Sequence, residues 1–455
     1  MRIGRFVLPV FLVVVVASSA WSQGTGAFET TISETETEVS VSTKPSAVPE
    51  PGTEVLTLAE ALSLALKHNQ TLSAFDEEIR ARDAAALQVG LLSNPVLGVE
   101  MENFAGKDAL QGFDGAETTI ALSQLVELGG KRLKRRQVAT LEKDLADWDY
   151  QSKKLDVLTA TAISFIQVLA VQEQVAQNEQ LALLAEQTLG AVAARVEAGK
   201  VPPLEQTRAT VELASARTAA DKARRELAAS RHRLVAFWGR ERTDFRQVVG
   251  DLTTLAPLPA EETILGLLGN NPDVARWGTE LEQREAALNL ARAQAVPNLT
   301  FSLGVRNLRE SDNNALVAGI ELPLPFFDRN QGGVGEARAN LKKARHERLA
   351  AETETLTGLA ETWQSLSTAH FESTTLRDEI LPGAQSAFEI AELGYREGKF
   401  DFLVMLDAQR TLFEVKGQYL QALATYHQTR TEMERLIGAP LDKLSETATQ
   451  PIDLR

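Results

Sequence analysis

A mainly α-helical fold with a small β part, one unit used twice along the chain, is the architecture this sequence predicts. Three observations carry that expectation. The chain matches itself at a shift of 199 positions: Arg195-Val-Glu-Ala-Gly-Lys200 aligns with Gly394-Tyr-Arg-Glu-Gly-Lys399, Leu204 with Leu403, Ala209 with Ala408, Leu213 with Leu412 and Gly239 with Gly438. Two long stretches place apolar residues at heptad spacing. Four short segments alternate apolar and other residues with period two.

Taken in order, the chain opens with Arg2 and Arg5, an apolar run from Phe6 to Ala17, and small Ala20 and Ser22 before Gln23. That is the pattern of a cleaved secretory signal over 1–22, too short for a membrane helix. No later segment comes close to a membrane helix, so any span is expected to be built from strands. Residues 23–55 are rich in Thr, Ser, Glu and Pro, and a flexible leader is expected there. Thr57-Leu-Ala-Glu60 fits a capping box, with Thr57 as N-cap and Glu60 at the third helical position.

A first repeat is expected over 56–240: a helix from Thr57 to Leu92, two strands, a long helix and a return helix. Pro95 stops the first helix, and Pro297 marks a similar junction in the second repeat, 261–440, after a helix from Glu261 to Ala295. Residues 241–260 read as a linker and 441–455 as a C-terminal tail.

The strand segments follow each proline. Leu299, Phe301, Leu303 and Val305 alternate with Thr300, Ser302, Gly304 and Arg306; beyond a turn at Ser311-Asp-Asn-Asn314, Leu316, Ala318, Ile320 and Leu322 do the same. Leu97, Val99 and Met101, then Ile120 and Leu122, are their first-half equivalents. Such alternation predicts strands with one apolar face.

A helix from Lys131 to Val196 follows, about 100 Å long at 1.5 Å per residue. Leu141, Leu145, Trp148, Leu155, Ala162, Phe165 and Leu169 mark its seam. Its counterpart runs from Gly335 to Tyr395, with a bend expected at Pro382. Each long helix turns at Gly199 or Gly398, and the shorter return helix ends near Gly239 or Gly438, residues suited to a left-handed C-cap.

Composition narrows the function. A net charge of −15 and a pI near 5.0 argue against nucleic acid as a partner. An acidic balance suits a lumen that favours cations, and it is also ordinary for a soluble surface. With no cysteine, disulfides, thiolate metal sites and a lipidated N-terminal Cys are excluded. The five histidines, His68, His232, His346, His370 and His427, form no His-x-x-x-His pair. No phosphate-binding Gly-rich loop, nucleophile elbow or His–Glu metal helix is present, so neither catalysis nor a cofactor is expected.

Four strands leave two open edges, and in lipid an unpaired backbone group costs several kcal/mol. Closure needs about eight strands, more than one chain supplies; three chains would give twelve. At this point the residues carry a resemblance. Asn94-Pro95, Glu100-Met-Glu-Asn103 and Ser123-Gln-Leu-Val-Glu-Leu-Gly-Gly-Lys-Arg132, within the duplicated layout over 56–440, resemble the TolC-like outer-membrane efflux family, most closely its cobalt–zinc–cadmium resistance branch.

The resemblance implies a homotrimer in the outer membrane of a Gram-negative bacterium: a twelve-stranded β-barrel in lipid above a twelve-helix periplasmic α-barrel. It also implies two partners, a periplasmic adaptor and an inner-membrane RND-type pump. Adaptor contact would fall on Arg195, Gly199, Lys200 and Leu204 at the first tip, and on Tyr395, Gly398, Lys399 and Leu403 at the second. Glycines at such turns are equally what a helix reversal needs. Glu389 and Glu392, near the second tip, would give acidic gate rings under threefold symmetry, or simply a solvated helix face. The basic run Lys131, Arg132, Lys134, Arg135 and Arg136 suits either a lipid interface or the start of a solvated helix. Trp148, Trp238 and Trp363 read as helix packing; Phe326 and Phe327, as part of an interfacial aromatic belt.

Overall fold

The computed structural model describes residues 55–243 and 245–441. The expected signal sequence, the leader up to residue 54 and the tail beyond Leu441 lie outside the described residues. The first half comprises β1 (Val55–Thr57), α1 (Leu58–His68), α2 (Gln70–Val89), β2 (Val96–Glu102), β3 (Glu117–Val126), α3 (Lys131–Glu197) and α4 (Pro203–Val235). After β4 (Gln247–Val249) and α5 (Glu261–Leu265), the second half continues with α6 (Pro272–Gln294), β5 (Leu299–Leu308), β6 (Asn313–Glu321), α7 (Gln331–Thr375), α8 (Leu381–Arg396) and α9 (Phe402–Ile437). The fold is mainly helical with few strands.

The capping box at Thr57 forms as the sequence predicts. The Thr57 hydroxyl accepts from the Glu60 N–H at 3.3 Å, and the Glu60 carboxylate accepts from the Thr57 N–H at 2.9 Å. The helix expected over Thr57–Leu92 is nevertheless two helices, broken at Asn69. The Asn69 carbonyl oxygen Oδ1 caps α2 by accepting from the N–H groups of Thr71 and Leu72, and its amide donates to the Phe237 carbonyl at 2.8 Å. A residue that can cap a helix and bond elsewhere competes with helix continuation. In the second half Asn271 does the same work. It accepts from the Asp273 N–H at 2.8 Å and donates to the Leu436 carbonyl at 2.8 Å, so the expected helix over Glu261–Ala295 is also broken.

The stretch read as a linker, 241–260, is also corrected. β4 pairs in parallel with β1, and Phe245, Val248 and Leu252 are buried in the largest core cluster. Three-residue strands are too short for periodicity to reveal. The turn after β4 is held by Asp251, whose carboxylate accepts from the Thr253 and Thr254 hydroxyls; these bonds pull its pKa down to about 2.

That core centres on α3, where Phe165, Ile166, Val168 and Leu169 meet Leu234, Val235 and Trp238, and Leu420 and Leu423 of α9. Contrary to expectation, α3 does contain a stretch long and apolar enough to cross a membrane by length and composition. Half of that stretch is buried within the protein, against neighbours on several sides. A helix that is a core hub is apolar all round for the same reason a membrane helix is. Arg435 of α9 ties the hub together, its guanidinium 2.8 Å from both Asp156 of α3 and Asp273 of α6.

The second long helix begins at Gln331 rather than Gly335. Just before Pro382, where a bend is expected, the helix passes through a π-helical segment, Leu376–Ile380. Proline removes an N–H and crowds the carbonyl four residues back, and a π turn is one way to accommodate both. The tryptophans lie in packing: Trp238 is buried, the Trp148 indole donates to Thr279, and Trp363 abuts a second core cluster.

Candidate functional site

Two features stand apart from the helical core: a four-stranded sheet and a pair of helix reversals. The sheet runs β2-β3-β5-β6, each pair antiparallel, so β3 and β5 join the two halves side by side. Register sorts its residues into two faces. Val99, Ile120, Val305 and Leu316 form one cross-strand row, and Leu97, Leu122, Leu303 and Ala318 the next, on the same side of the pleat. These apolar side chains are exposed, Leu303 by 64 % and Leu316 by 82 %. A contiguous apolar face of this kind on one chain marks a surface that lipid or protein covers. The other face carries Glu100, Thr119, Arg306 and Ala315 in one row, and Gly98, Ala121, Gly304 and Val317 in another. Large apolar residues on one side and small or polar ones on the other, over seven to ten residues, is the pattern of a transmembrane barrel strand. Among the described residues, β2 and β6 are unpaired on their outer edges.

Below the sheet the basic run splits up. Lys131 is buried and bonds the Asn298 side chain at 2.5 Å, Arg135 holds Glu127 through two bonds of 2.6 and 2.7 Å, and Lys134 donates to the Gly129 carbonyl. Three of its five members therefore fasten the strand-to-helix junction. Phe326 and Phe327, by contrast, are unpacked in the chain, Phe327 being 94 % exposed.

The helix reversals share one geometry. At the first, Lys200 N–H donates to Arg195 C=O at 2.9 Å with Gly199 at φ +66°; at the second, Lys399 N–H donates to Gly394 C=O at 2.8 Å with Gly398 at φ +74°. Both are Schellman-type C-caps, and only glycine adopts that φ without strain. The two ends touch. The Arg195 guanidinium lies 4.6 Å from the Tyr395 ring centre and donates to the Tyr395 and Arg396 carbonyls at 3.2 and 3.3 Å. A cation there also complements the negative end of α8.

Tyr395 itself is buried among Val192, Ala209, Phe402 and Met405, with its hydroxyl 3.4 Å from Glu205. Burial raises its pKa. Lys200, Lys399, Leu204 and Leu403 remain at the surface, Leu204 57 % and Leu403 51 % exposed. Of the two acidic candidates on α8, Glu392 pairs with Arg396 at 2.9 Å and Glu389 accepts from Gln385.

Sequence reading missed Asn69 and Asn271, although each stands at an equivalent place in its half. It also gave no role to Arg306, which lies within reach of Glu102, Glu117 and Thr119. Its signal was a lone arginine in an otherwise uncharged strand.

The model of the outer membrane efflux protein family matches residues 61–240 and 264–439, one segment in each half. Among curated relatives, the cobalt-zinc-cadmium resistance protein CzcC of Cupriavidus metallidurans is 35 % identical over 383 residues, spanning 84 % of this chain and 90 % of that protein. The pyoverdine export outer membrane protein OpmQ of Pseudomonas aeruginosa is 26 % identical, over 84 % and 85 %. The fold is shared with the crystal structure of CusC, a transmembrane channel former (TM-score 0.71, 17 % identity, 85 % of this chain and 94 % of that one). It is shared equally with the Campylobacter jejuni outer membrane channel CmeC (TM-score 0.71, 15 % identity, 87 % and 90 %). Matched in both halves by the family model and over most of its length by CzcC, the chain belongs to the outer membrane efflux protein family, and it is an outer-membrane efflux channel.

Proposed function

We propose that three copies close a twelve-stranded barrel in the outer membrane of a Gram-negative cell, over a periplasmic α-barrel of twelve helices. The assembly is a passive conduit for heavy-metal cations. A periplasmic adaptor meets the tips, and an inner-membrane RND-type pump supplies the energy. The observation that carries the conduit is the sheet: its apolar rows align across all four strands, and its two unpaired edges need partners once water is absent. Three copies are the smallest ring that gives a lumen at four strands each.

The adaptor surface consists of Lys200, Leu204, Lys399 and Leu403 around the glycine turns, while Arg195 and Tyr395 shape those turns from within. Glu389 and Glu392 act as a solvated helix face rather than a gate ring, a reading supported by the Arg396 charge that compensates Glu392. The cargo assignment rests on CzcC, which is named for cobalt, zinc and cadmium resistance. NccC, named for nickel, cobalt and cadmium resistance, points the same way at 25 % identity. A second reading, an organic cargo, is favoured by the likeness to OpmQ, named for pyoverdine export.

Deleting the gene and titrating cobalt, zinc and cadmium in the medium tests the cargo. Lowered tolerance restored by the intact gene is expected. Unchanged metal tolerance with new sensitivity to organic compounds selects the second reading instead.

A further inference from the structure

On the polar face of the sheet, Glu102 of β2 and Glu117 of β3 stand directly opposite one another. Like charges in that relation repel, with Cβ atoms about 5 Å apart. Two carboxylates so placed are also a ready pair of oxygen ligands for a divalent cation. Arg306 of β5, a third strand, fills the place. Its Nη2 lies 3.2 Å from Glu102 Oε2, its Nη1 donates to Glu117 Oε2 at 2.9 Å, and its Nε donates to the Thr119 hydroxyl at 2.9 Å. The remaining Glu117 oxygen accepts from the Asn103 amide at 3.2 Å. Arg306 lies under the apolar rows' reverse side, so in a closed barrel the cluster faces the lumen, once per subunit.

We infer that Arg306 is a built-in counter-ion that keeps divalent cargo from lodging on the Glu102–Glu117 pair inside the barrel. A conduit must let its ions leave, and a carboxylate pair left bare would hold them. The guanidinium occupies both carboxylates with a charge that cannot dissociate into the stream. This inference rests on the barrel reading above.

The test is conductance of the full-length trimer in planar lipid bilayers in KCl, with Co²⁺ titrated in. Arg306→Ala, and Arg306→Met as a neutral replacement that keeps bulk, are compared with the wild type and with Arg306→Lys. Both neutral variants are expected to be half-blocked at Co²⁺ concentrations about tenfold or more below the wild type, a difference of about 1.4 kcal/mol in binding. Arg306→Lys, and Arg306→Ala carrying Glu102→Gln and Glu117→Gln, return to wild-type sensitivity. Equal sensitivity of wild type and neutral variants overturns the inference while leaving the channel intact. Failure of both neutral variants to form trimers overturns it too, by making Arg306 a strand tie. A wild type that conducts no current overturns the barrel reading itself.

Discussion

The two halves of the chain share a backbone plan and differ in how they are fastened. Both long helices end in the same glycine C-cap, and both short helices are broken by an asparagine that reaches the carbonyl two residues before a C-terminal glycine. Yet α3 runs unbroken for 67 residues, whereas its counterpart is divided by a π segment ahead of Pro382. At the tips, Arg195 occupies the position that Gly394 holds in the other half. Arg195 reaches out to the second tip; Gly394 leaves room for the Phe400 ring to lie against it. Duplication therefore preserves what the backbone dihedrals require and frees the side chains to specialise, one tip supplying the clamp and the other the socket.

The largest expected effect tests whether the two halves contribute equally to the lipid face of the proposed barrel. Leu122→Arg and Leu303→Arg, neighbours in one row, are each expected to cost about 2–4 kcal/mol near the membrane midplane. Heat stability of the proposed trimer in detergent is the measurement, with Ser302→Arg on the opposite face as the mild control. Unequal losses for the two leucines break the equivalence of the halves.

Next come the asparagines, where a difference is expected. Asn271 is 1 % exposed and Asn69 is only half-buried. Asn271→Ala loses a cap and leaves a carbonyl without its donor, about 2–3 kcal/mol, whereas Asn69→Ala loses about 1 kcal/mol because water reaches the site. Thermal unfolding of the two variants under one condition ranks them; the reverse order refutes the burial argument.

The last comparison, ending on the smallest loss at Arg195, separates clamp from socket. A Cβ at Gly394 runs into the Phe400 ring. Gly394→Ala is expected to cost about 1–3 kcal/mol by overpacking, and Arg195→Ala about 1 kcal/mol through its cation–π contact and carbonyl bonds. Hydrogen exchange at the tips is the readout: the double variant loses less than the sum of the singles if the tips act as one unit.

Much of this was legible beforehand because it obeys local rules. The repeat fixes the order of elements, alternation fixes the strands, and a capping box fixes the start of α1 to the residue. Glycines at 199, 239, 398 and 438 announce left-handed caps, and each adopts one. The misses share another cause. Asn69 ends a helix because Phe237, 168 residues away, accepts its amide. β1 exists only because β4 lies beside it, and Phe245, Val248 and Leu252 are core rather than linker because they pack with α3 and α9. Tyr395 is equally a matter of packing, since a tyrosine beside a turn glycine reads as surface until Arg195 and Glu205 are found around it.

By itself the sequence determined the long helices, the four sheet strands and their polarity, since period, cap and turn signals act over a few residues whose φ and ψ they set directly. Only the tertiary structure decided which faces meet. The placing of Arg306 within reach of two glutamates on other strands, and of Arg195 against the opposite tip, depends on register and on contacts between residues about two hundred positions apart. No local pattern encodes such a distance.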